Sequence, residues 1–162
     1  MALKSLEELF LHTLQDVYFA ENHLTQQLSR LIETAWNAEL KGLFHDHLEE
    51  TRTHIARLDQ VFEILGSPAK GTSCPAIEGL TRETEELVAL IDDKTTLDAA
   101  LIAAAQAIEH YEITRYGTLI AWALELDHKQ IADILRDTLA EEKGADSKLL
   151  RLAEDKLNEK AA

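Results

Sequence analysis

Residues 37–65 read NAELKGLFHDHLEETRTHIARLDQVFEIL and determine the architecture more clearly than any other part of the chain. Apolar side chains recur in this segment every three or four positions, the spacing that places them on one face of an α-helix. The row consists of Leu40, Phe44, His47, Thr51, His54, Leu58, Val61 and Leu65. Because two histidines lie among its apolar members, the row predicts a helix whose inner face carries chemistry as well as packing.

Further helices are predicted on both sides of this segment. Ser5 and Glu8 have the spacing of a capping box and start a first long helix, and Gly66 and Pro68 end the helix at 37–65. Thr95 and Asp98 form another capping-box candidate. The predicted helices span residues 5–36, 37–65, 75–92, 95–127 and 128–158, and residues 66–74 form the one clear linker.

These lengths and connections define a fold class. The four long helices contain about 30 residues each, which corresponds to a length of about 45 Å. Short connections join them into two antiparallel hairpins, and a longer crossover that carries the short helix joins the hairpins. No segment alternates with a period of two for long, so no sheet is expected. The sequence predicts one all-α domain over residues 1–162, a ferritin-like four-helix bundle.

The composition excludes several functional classes. The chain has 162 residues with 16 Lys and Arg against 30 Asp and Glu, and its net charge of −14 argues against nucleic-acid binding. The longest apolar run, residues 97–108, is too short to cross a bilayer, and Glu7 and Glu8 lie where a signal peptide would be apolar. Cys74 is the only cysteine, so no disulfide forms within the chain. The expected location is the cytoplasm.

A glutamate lies near the middle of each long helix. In the first, third and fourth long helices it belongs to a mainly apolar row with the same spacing. These glutamates are Glu21, Glu112 and Glu142, and the last two rows also contain Arg115, Trp122 and Lys156. In the second helix, Glu50 lies between the two histidines on one face. Because antiparallel helices of equal length meet at their midpoints, four carboxylates and at least one imidazole are expected at one level of the core.

Four buried carboxylates require compensating positive charge. Burial of even one without a partner costs several kcal/mol or forces the group to take up a proton. Arg115 is the one cation that the rows offer nearby, and it cannot neutralise four carboxylates. A pair of divalent metal ions carries about the right charge, and oxygen donors with some imidazole favour iron or manganese over copper or structural zinc.

Three alternatives stay open at this point. An error in the assigned helix phase would move any one of these glutamates into solvent. His47 also fits a core histidine that is satisfied by hydrogen bonds rather than a ligand. If Tyr116, one turn after Glu112, takes the inner position, Arg115 points outward and the tyrosine hydroxyl is available to support a ligand.

Several stretches resemble the YciE/YciF family of bacterial ferritin-like proteins, and the resemblance covers nearly the whole chain. They are YFAENHL at 18–24, HLEET at 47–51, DAALIAAAQ at 98–106, EHYEI at 109–113 with Tyr116 and Gly117 after it, and LAEEK at 139–143. The resemblance implies a ferritin-like bundle, usually a homodimer, with a dinuclear non-haem iron site. Members of the family are associated with bacterial stress responses.

The resemblance also implies a set of metal ligands. They are Glu21, Glu50, His54, Glu109, Glu112 and Glu142, and Asp146 is added because it has the same spacing from Glu142 as His54 has from Glu50. Ferritin-like di-iron proteins commonly carry Glu-x-x-His on two helices, whereas here the spacings are Glu50-x-x-x-His54 and Glu142-x-x-x-Asp146. A shift of one residue would make Glu49 or Glu141 the ligand instead. The parallel between residues 49–54 and 141–146 indicates an old duplication of a helix hairpin.

The leading functional hypothesis is a protein that binds two iron ions, or manganese or mixed metals, and reacts with oxygen or peroxide. In it Glu50 and Glu142 bridge the ions, Glu21 and Glu112 are terminal ligands, and His54 supplies the nitrogen. The alternative is a non-catalytic helical stress or interaction protein with a structural metal site. A manganese catalase-like activity is a third hypothesis, whereas ferric-core storage is not expected because its cage needs a larger assembly.

Overall fold

The computed structural model describes residues 2–162, and Met1 lies outside the described residues. The helices are α1 (Leu6–Thr34), α2 (Ala38–Ile64), α3 (Pro75–Leu90), α4 (Lys94–Glu125), α5 (Lys129–Leu152) and α6 (Asn158–Ala161), with a π-helical turn at Ala153–Leu157. Residues 2–162 contain no strand. Helix α1 packs along α2, α4 packs along α5, and α3 lies on α4. The predicted ferritin-like four-helix bundle with a short helix in its crossover is confirmed.

Local signals in the sequence define several helix ends. The Ser5 hydroxyl accepts a hydrogen bond from the backbone N–H of Glu8 at 3.1 Å, as the capping-box spacing predicts. The side chain of Asn37 accepts two backbone N–H groups in the first turn of α2. After α2, Gly66 has a φ of 64°, a left-handed conformation that glycine adopts without strain.

The predicted capping box at Thr95 and Asp98 is wrong. Asp93 is the N-cap of α4, because its carboxylate accepts the Thr95 hydroxyl at 2.7 Å and a first-turn N–H at 2.8 Å. These hydrogen bonds lower the pKa of Asp93 to about 2. Asp98 is buried and accepts two backbone N–H groups of the α1–α2 connection at 2.7 and 2.9 Å. Asp98 therefore ties the second hairpin to the turn of the first.

The inner row of α4 also differs from the prediction after Glu112. Leu119 is fully buried as predicted, but Tyr116 and Ala123 are fully buried in place of Arg115 and Trp122, which are half-buried. Tyr116 therefore takes the inner position, the alternative that the sequence left open.

The C-terminal end of the last row is displaced by the π-helical turn. Lys156 was expected inside, but it is exposed and its Nζ lies 2.7 Å from Glu39 Oε2. Leu157 is buried instead. A π-helical turn contains more residues than an α-helical one, so the inward position moves by one residue.

The apolar core is divided into two main clusters, one toward each end of the bundle. One draws on residues 10–17, 58–62, 116–123 and 131–135, and the other on residues 28–35, 40–48, 101–105 and 149–157. The packing of these clusters fixes the four long helices and leaves a level between them that polar residues occupy. Among residues 2–162, no helix combines the length and the hydropathy that crossing a bilayer requires.

Candidate metal centre

Six side chains with metal-binding chemistry meet between the two apolar clusters. They are Glu21 on α1, His47 and His54 on α2, Glu109 and Glu112 on α4, and Glu142 on α5. None of them is more than 6% exposed. They point inward because each continues the three- or four-residue spacing of the apolar positions around it.

The ligand atoms of these side chains form two groups that share one residue. One group consists of His47, Glu109, Glu112 and Glu142, the other of Glu21, His54 and Glu142, and within each the ligand atoms lie within 4.8 Å of one another. Glu142 Oε1 lies 3.1 Å from His54 Nδ1, whereas Glu142 Oε2 lies 3.7 Å from His47 Nε2. The two oxygens of one carboxylate therefore face different groups, an arrangement suited to bridging two cations.

Buried polar atoms without hydrogen-bond partners are concentrated at this level. They are Glu21 Oε2, Thr51 Oγ1, His54 Nδ1, Glu109 Oε2, both carboxylate oxygens of Glu112 and both of Glu142. Such atoms are rare in folded proteins, because leaving one unsatisfied costs about 1–3 kcal/mol and more for a charged group. All but the threonine oxygen belong to the six inward residues. Side chains bind metal ions through lone pairs on carboxylate oxygens and imidazole nitrogens, so these six residues fit a metal site.

Burial and mutual repulsion hinder ionisation of the carboxyl groups on α4. Burial raises the pKa of Glu112 and of Glu109 well above the ordinary value, and the charge of Glu142 raises both further. Burial opposes ionisation of Glu142 as well, but its interactions with the imidazoles of His54 and His47 and with Glu109 together outweigh burial and lower the pKa. A divalent cation would remove the repulsion and stabilise the ionised forms together.

His54 is oriented by an ion pair on the side of its ring that faces away from the two groups. Its Nε2 lies 2.9 Å from Glu141 Oε2, and Arg57 Nη2 donates to Glu141 Oε1 at 2.9 Å. The hydrogen bond from Arg57 lowers the pKa of Glu141, so this carboxylate stays ionised and accepts the Nε2 proton. Nδ1 then faces Glu142 and Glu21, as in metal sites where a carboxylate fixes the tautomer of a histidine ligand.

His54 also carries a strong affinity for a second proton. Burial lowers its pKa, but Glu142 and Glu21 outweigh burial and raise the pKa to about 11. A metal ion at Nδ1 competes with that proton, because only the neutral imidazole binds metal.

Tyr116 supports Glu21 from the opposite direction. Its fully buried hydroxyl donates a hydrogen bond to Glu21 Oε1. Burial raises the pKa of Tyr116 well above its ordinary value, so the hydroxyl keeps its proton and remains a donor. Glu21 Oε2 is left with its lone pairs free.

Five of the seven predicted ligand positions belong to the two groups, and Glu50 and Asp146 lie outside them. The side chain of Glu50 is 30% exposed, and its Oε2 lies 3.4 Å from His47 Nδ1. Asp146 accepts the Gln106 amide at 3.0 Å and lies 3.3 Å from His110 Nε2 near the surface. A metal-binding role for any of these residues stays a prediction.

The inward positions of the two hairpins correspond in a register that differs by one residue from the predicted alignment of residues 49–54 with 141–146. Thr51, fully buried, occupies the inward position of α2 that Glu142 occupies on α5. Glu50 is accordingly the half-buried counterpart of Glu141. Each helix therefore carries one half of a Glu-x-x-His pattern. Helix α2 has His54 but Thr51 at the glutamate position, and α5 has Glu142 but an alanine at the histidine position.

His47 is the inward residue whose role the sequence left open. It lies in the same row as His54, about two turns earlier, and its Nε2 is 3.1 Å from Glu109 Oε1. The signal that identifies it is the pair of histidines in one row. A single sequence does not distinguish a packed histidine from one that faces carboxylates on other helices.

Comparison with known sequences identifies the family. The profile of a family described as a domain of unknown function, DUF892, matches residues 5–162. The protein YciF of Escherichia coli (strain K12) is 44% identical over 162 residues, which represent 99% of this chain and 98% of that protein.

Solved structures are similar over almost the whole chain. The crystal structure of the E. coli stress protein YciF has a TM-score of 0.92 at 44% identity and covers 96% of this chain and 99% of its own. YcfI from Rhodopseudomonas palustris, provisionally described as a structural protein, has a TM-score of 0.89 at 53% identity over 90% and 93%. A protein from Xanthomonas campestris shares the fold, with a TM-score of 0.74 at 22% identity over 93% and 92%. The chain therefore belongs to the DUF892 family and, as its sequence predicts, to the family of the stress protein YciF.

Proposed function

We propose that this protein binds two divalent metal ions, preferably iron, between its two helix hairpins. His47, Glu109, Glu112 and one oxygen of Glu142 would hold one ion, and Glu21, His54 and the other oxygen of Glu142 would hold the second. The observation that carries the proposal is the position of Glu142, whose two oxygens lie 3.1 and 3.7 Å from different imidazoles.

Charge supports two ions rather than one. The six residues include four carboxylates, so two divalent ions neutralise them when both imidazoles are neutral. A single ion would leave two negative charges buried, and each unpaired buried charge costs several kcal/mol. Arg57 does not offset this charge, because its guanidinium is committed to Glu141.

The donor set favours iron or manganese. Carboxylate groups outnumber imidazoles by four to two in the six residues, and no cysteine lies among them. Hard oxygen donors with imidazole suit these metals, whereas structural zinc sites use thiolates and imidazoles.

A pair of ferrous ions, once bound, would supply the electrons that reduce oxygen or peroxide. The residues of the chain hold this centre in place and apart from bulk water. Tyr116 orients Glu21, the pair of Arg57 and Glu141 orients His54, and the apolar clusters above and below restrict access of solvent. The homodimer that the family resemblance implies stays a prediction, which analytical ultracentrifugation tests.

Metal content tests the proposal directly. Protein purified without chelator should contain up to two ions per chain, and anaerobic titration of the metal-free protein with Fe(II) should saturate at two equivalents. Glu49→Gln is a matched control, since Glu49 is exposed and pairs with Arg52 on the outer face of α2. Its titration should equal that of the parent. Saturation at one equivalent, or at none, contradicts the dinuclear site.

Consumption of oxidant then separates a reactive centre from a structural one. Uptake of oxygen or peroxide by the Fe(II)-loaded protein supports a reactive di-iron site. Bound metal without such uptake supports the alternative of a non-catalytic protein, the kind of role suggested for YcfI. Rapid release of oxygen from peroxide by the manganese-loaded protein would instead identify a catalase-like activity.

A further inference from the structure

We propose that divalent ions reach the site through a narrow cleft between α2 and α5, with Glu50 as the transient ligand that passes them inward. The proposal rests on the proposed function and adds an access path to it. Polar residues that line this cleft are Asp46, His47, Glu50, Glu109 and Lys148. Glu50 is then a residue of the path and not a resident ligand.

The acidic and imidazole groups of the cleft follow one another from the surface into the site. Asp46 is exposed and lies one turn before Glu50, whose side chain is 30% exposed. His47, at 6% exposure, comes next, and Glu109, at 3%, lines the inner end with its Oε2 lacking a hydrogen-bond partner. A hydrated cation that moves inward therefore meets carboxylate and imidazole groups that can replace some of the waters that it loses.

Glu50 is held much more loosely than Glu141, its counterpart on the other hairpin. Glu141 makes two hydrogen bonds with Arg57, which fix its position. Glu50 lies 3.4 Å from His47 Nδ1 and 3.8 Å from Lys148 Nζ, both longer than a good hydrogen bond. Such a carboxylate changes rotamer easily, and Lys148 competes with an arriving cation for it.

A second cleft reaches His47 and Glu109 from the other side of the bundle but does not suit a cation. Its remaining lining residues are Leu24, Gln27, Leu28, Leu31, Ala105 and Ile108. A divalent ion that crossed this surface would lose its water without gaining charged ligands, which is strongly unfavourable. The cleft between α2 and α5 is therefore the favoured path.

The rate of metal uptake tests the path independently of the final metal content. Metal-free protein is mixed with Co(II) in a stopped-flow instrument, uptake is followed by the visible absorption of bound Co(II), and the final content is measured by element analysis. Glu50→Gln should reduce the uptake rate about tenfold, a size typical of electrostatic focusing, and should leave the final content unchanged. Lys148→Gln should increase the rate about two- to fivefold.

Two control variants should load at the parent rate. Glu49→Gln removes the same charge one residue away on the outer face, and Gln27→Ala alters the other cleft. The path is overturned if Glu50→Gln loads as fast as Glu49→Gln. It is also overturned if saturated Glu50→Gln holds fewer ions than the parent, since Glu50 would then be a resident ligand. A parent protein that takes up no Co(II) contradicts the proposed function itself.

Discussion

The two hairpins of the bundle match in geometry and differ in chemistry at the level of the site. Thirty residues separate Glu21 from Thr51 in the hairpin of α1 and α2, and the same interval separates Glu112 from Glu142 in the hairpin of α4 and α5. All four residues point inward. The first hairpin has a threonine where the second has a carboxylate, so the two hairpins share the spacing of their inward positions and differ in the residues that occupy them.

The result is a division of the candidate ligands between the hairpins. The first supplies both imidazoles and one carboxylate, whereas the second supplies three carboxylates and no imidazole. Neither hairpin alone has the four carboxylates that would balance the charge of two divalent ions, and neither alone supplies all six donor groups. The proposed metal ions would therefore join the two hairpins, and their binding would contribute to the stability of the bundle.

The largest expected effect is that of Glu142→Gln, because this residue is shared by both groups. The change preserves side-chain shape and removes the charge that both ions would use. Metal content should fall from two ions per chain to almost none, while circular dichroism shows an unchanged helix content. Retention of one tightly bound ion would mean that Glu142 is a terminal ligand and that the hairpins do not share it.

Replacement of either terminal carboxylate, Glu21 or Glu112, should remove one of the two ions and leave the other bound. Glu21→Gln removes a carboxylate from the first hairpin and Glu112→Gln removes one from the second, and each touches one group alone. Each variant should retain about one Fe(II) per chain in anaerobic titrations. Loss of both ions from either variant would contradict the assignment of one ion to each group, and it would indicate one cooperative site instead of two distinguishable positions.

The pH dependence of stability should have opposite slopes for the metal-free and metal-loaded forms. Burial raises the pKa of Glu109 and Glu112 on the second hairpin, so the metal-free folded state keeps protons that the unfolded chain has lost above pH of about 4.5. Its free energy of unfolding should therefore decrease as pH rises from about 5 to 8, by up to about 1.4 kcal/mol per pH unit for each titrating carboxyl. His54 contributes a further decrease in the free energy of unfolding above pH of about 6.5, because its pKa in the folded state is raised to about 11.

The metal-loaded form should behave in the reverse way. Protons compete with cations for the carboxylates, so metal affinity and the stability that metal confers increase with pH. Urea unfolding with chelator or with excess Mn(II), at several pH values, measures both slopes. Parallel curves would show that the carboxyl groups do not exchange protons for metal.

The fold and the positions of Glu21, Glu112 and Glu142 could be predicted because both depend on local spacing. A residue in phase with apolar neighbours over several turns points to the core whatever its own chemistry. The N-cap at Ser5 was equally local. The cap of α4 was not, because Thr95 and Asp98 have the spacing of a capping box, and only the distant α1–α2 connection gives Asp98 its actual partners.

The division of roles between adjacent glutamates could not be read from one sequence. Glu141 and Glu142 differ by one position, and the structure distinguishes them by Arg57 and His54, which lie on another helix. The sequence also placed Thr51 in the inner row of α2, yet the resemblance gave the ligand role to its neighbour Glu50. The π-helical turn at Ala153–Leu157 packs against α4, and the shift in register that it causes had no local signal in the sequence.

A smaller effect is expected on the stability of the metal-free fold. Glu112 has two buried oxygens without partners, so Glu112→Leu should stabilise the metal-free protein by about 1–3 kcal/mol. Thr51→Glu creates the missing carboxylate of the first hairpin and should destabilise the metal-free protein by a similar amount. Urea unfolding in chelator measures both. Destabilisation by Glu112→Leu would show that this side chain is well accommodated without metal.

The smallest expected effect concerns the residue that orients His54. Glu141→Gln keeps an acceptor near Nε2 but loses the charge that holds Arg57 and fixes the tautomer, so metal affinity should fall about tenfold while two ions still bind at saturation. Competition with a chelator of known affinity measures this change. Glu50→Gln should leave the equilibrium affinity nearly unchanged, because Glu50 is only loosely tied to His47. Equal losses of affinity in the two variants would mean that the hairpins support their histidines in the same way, and the contrast between a fixed and a mobile carboxylate would no longer hold.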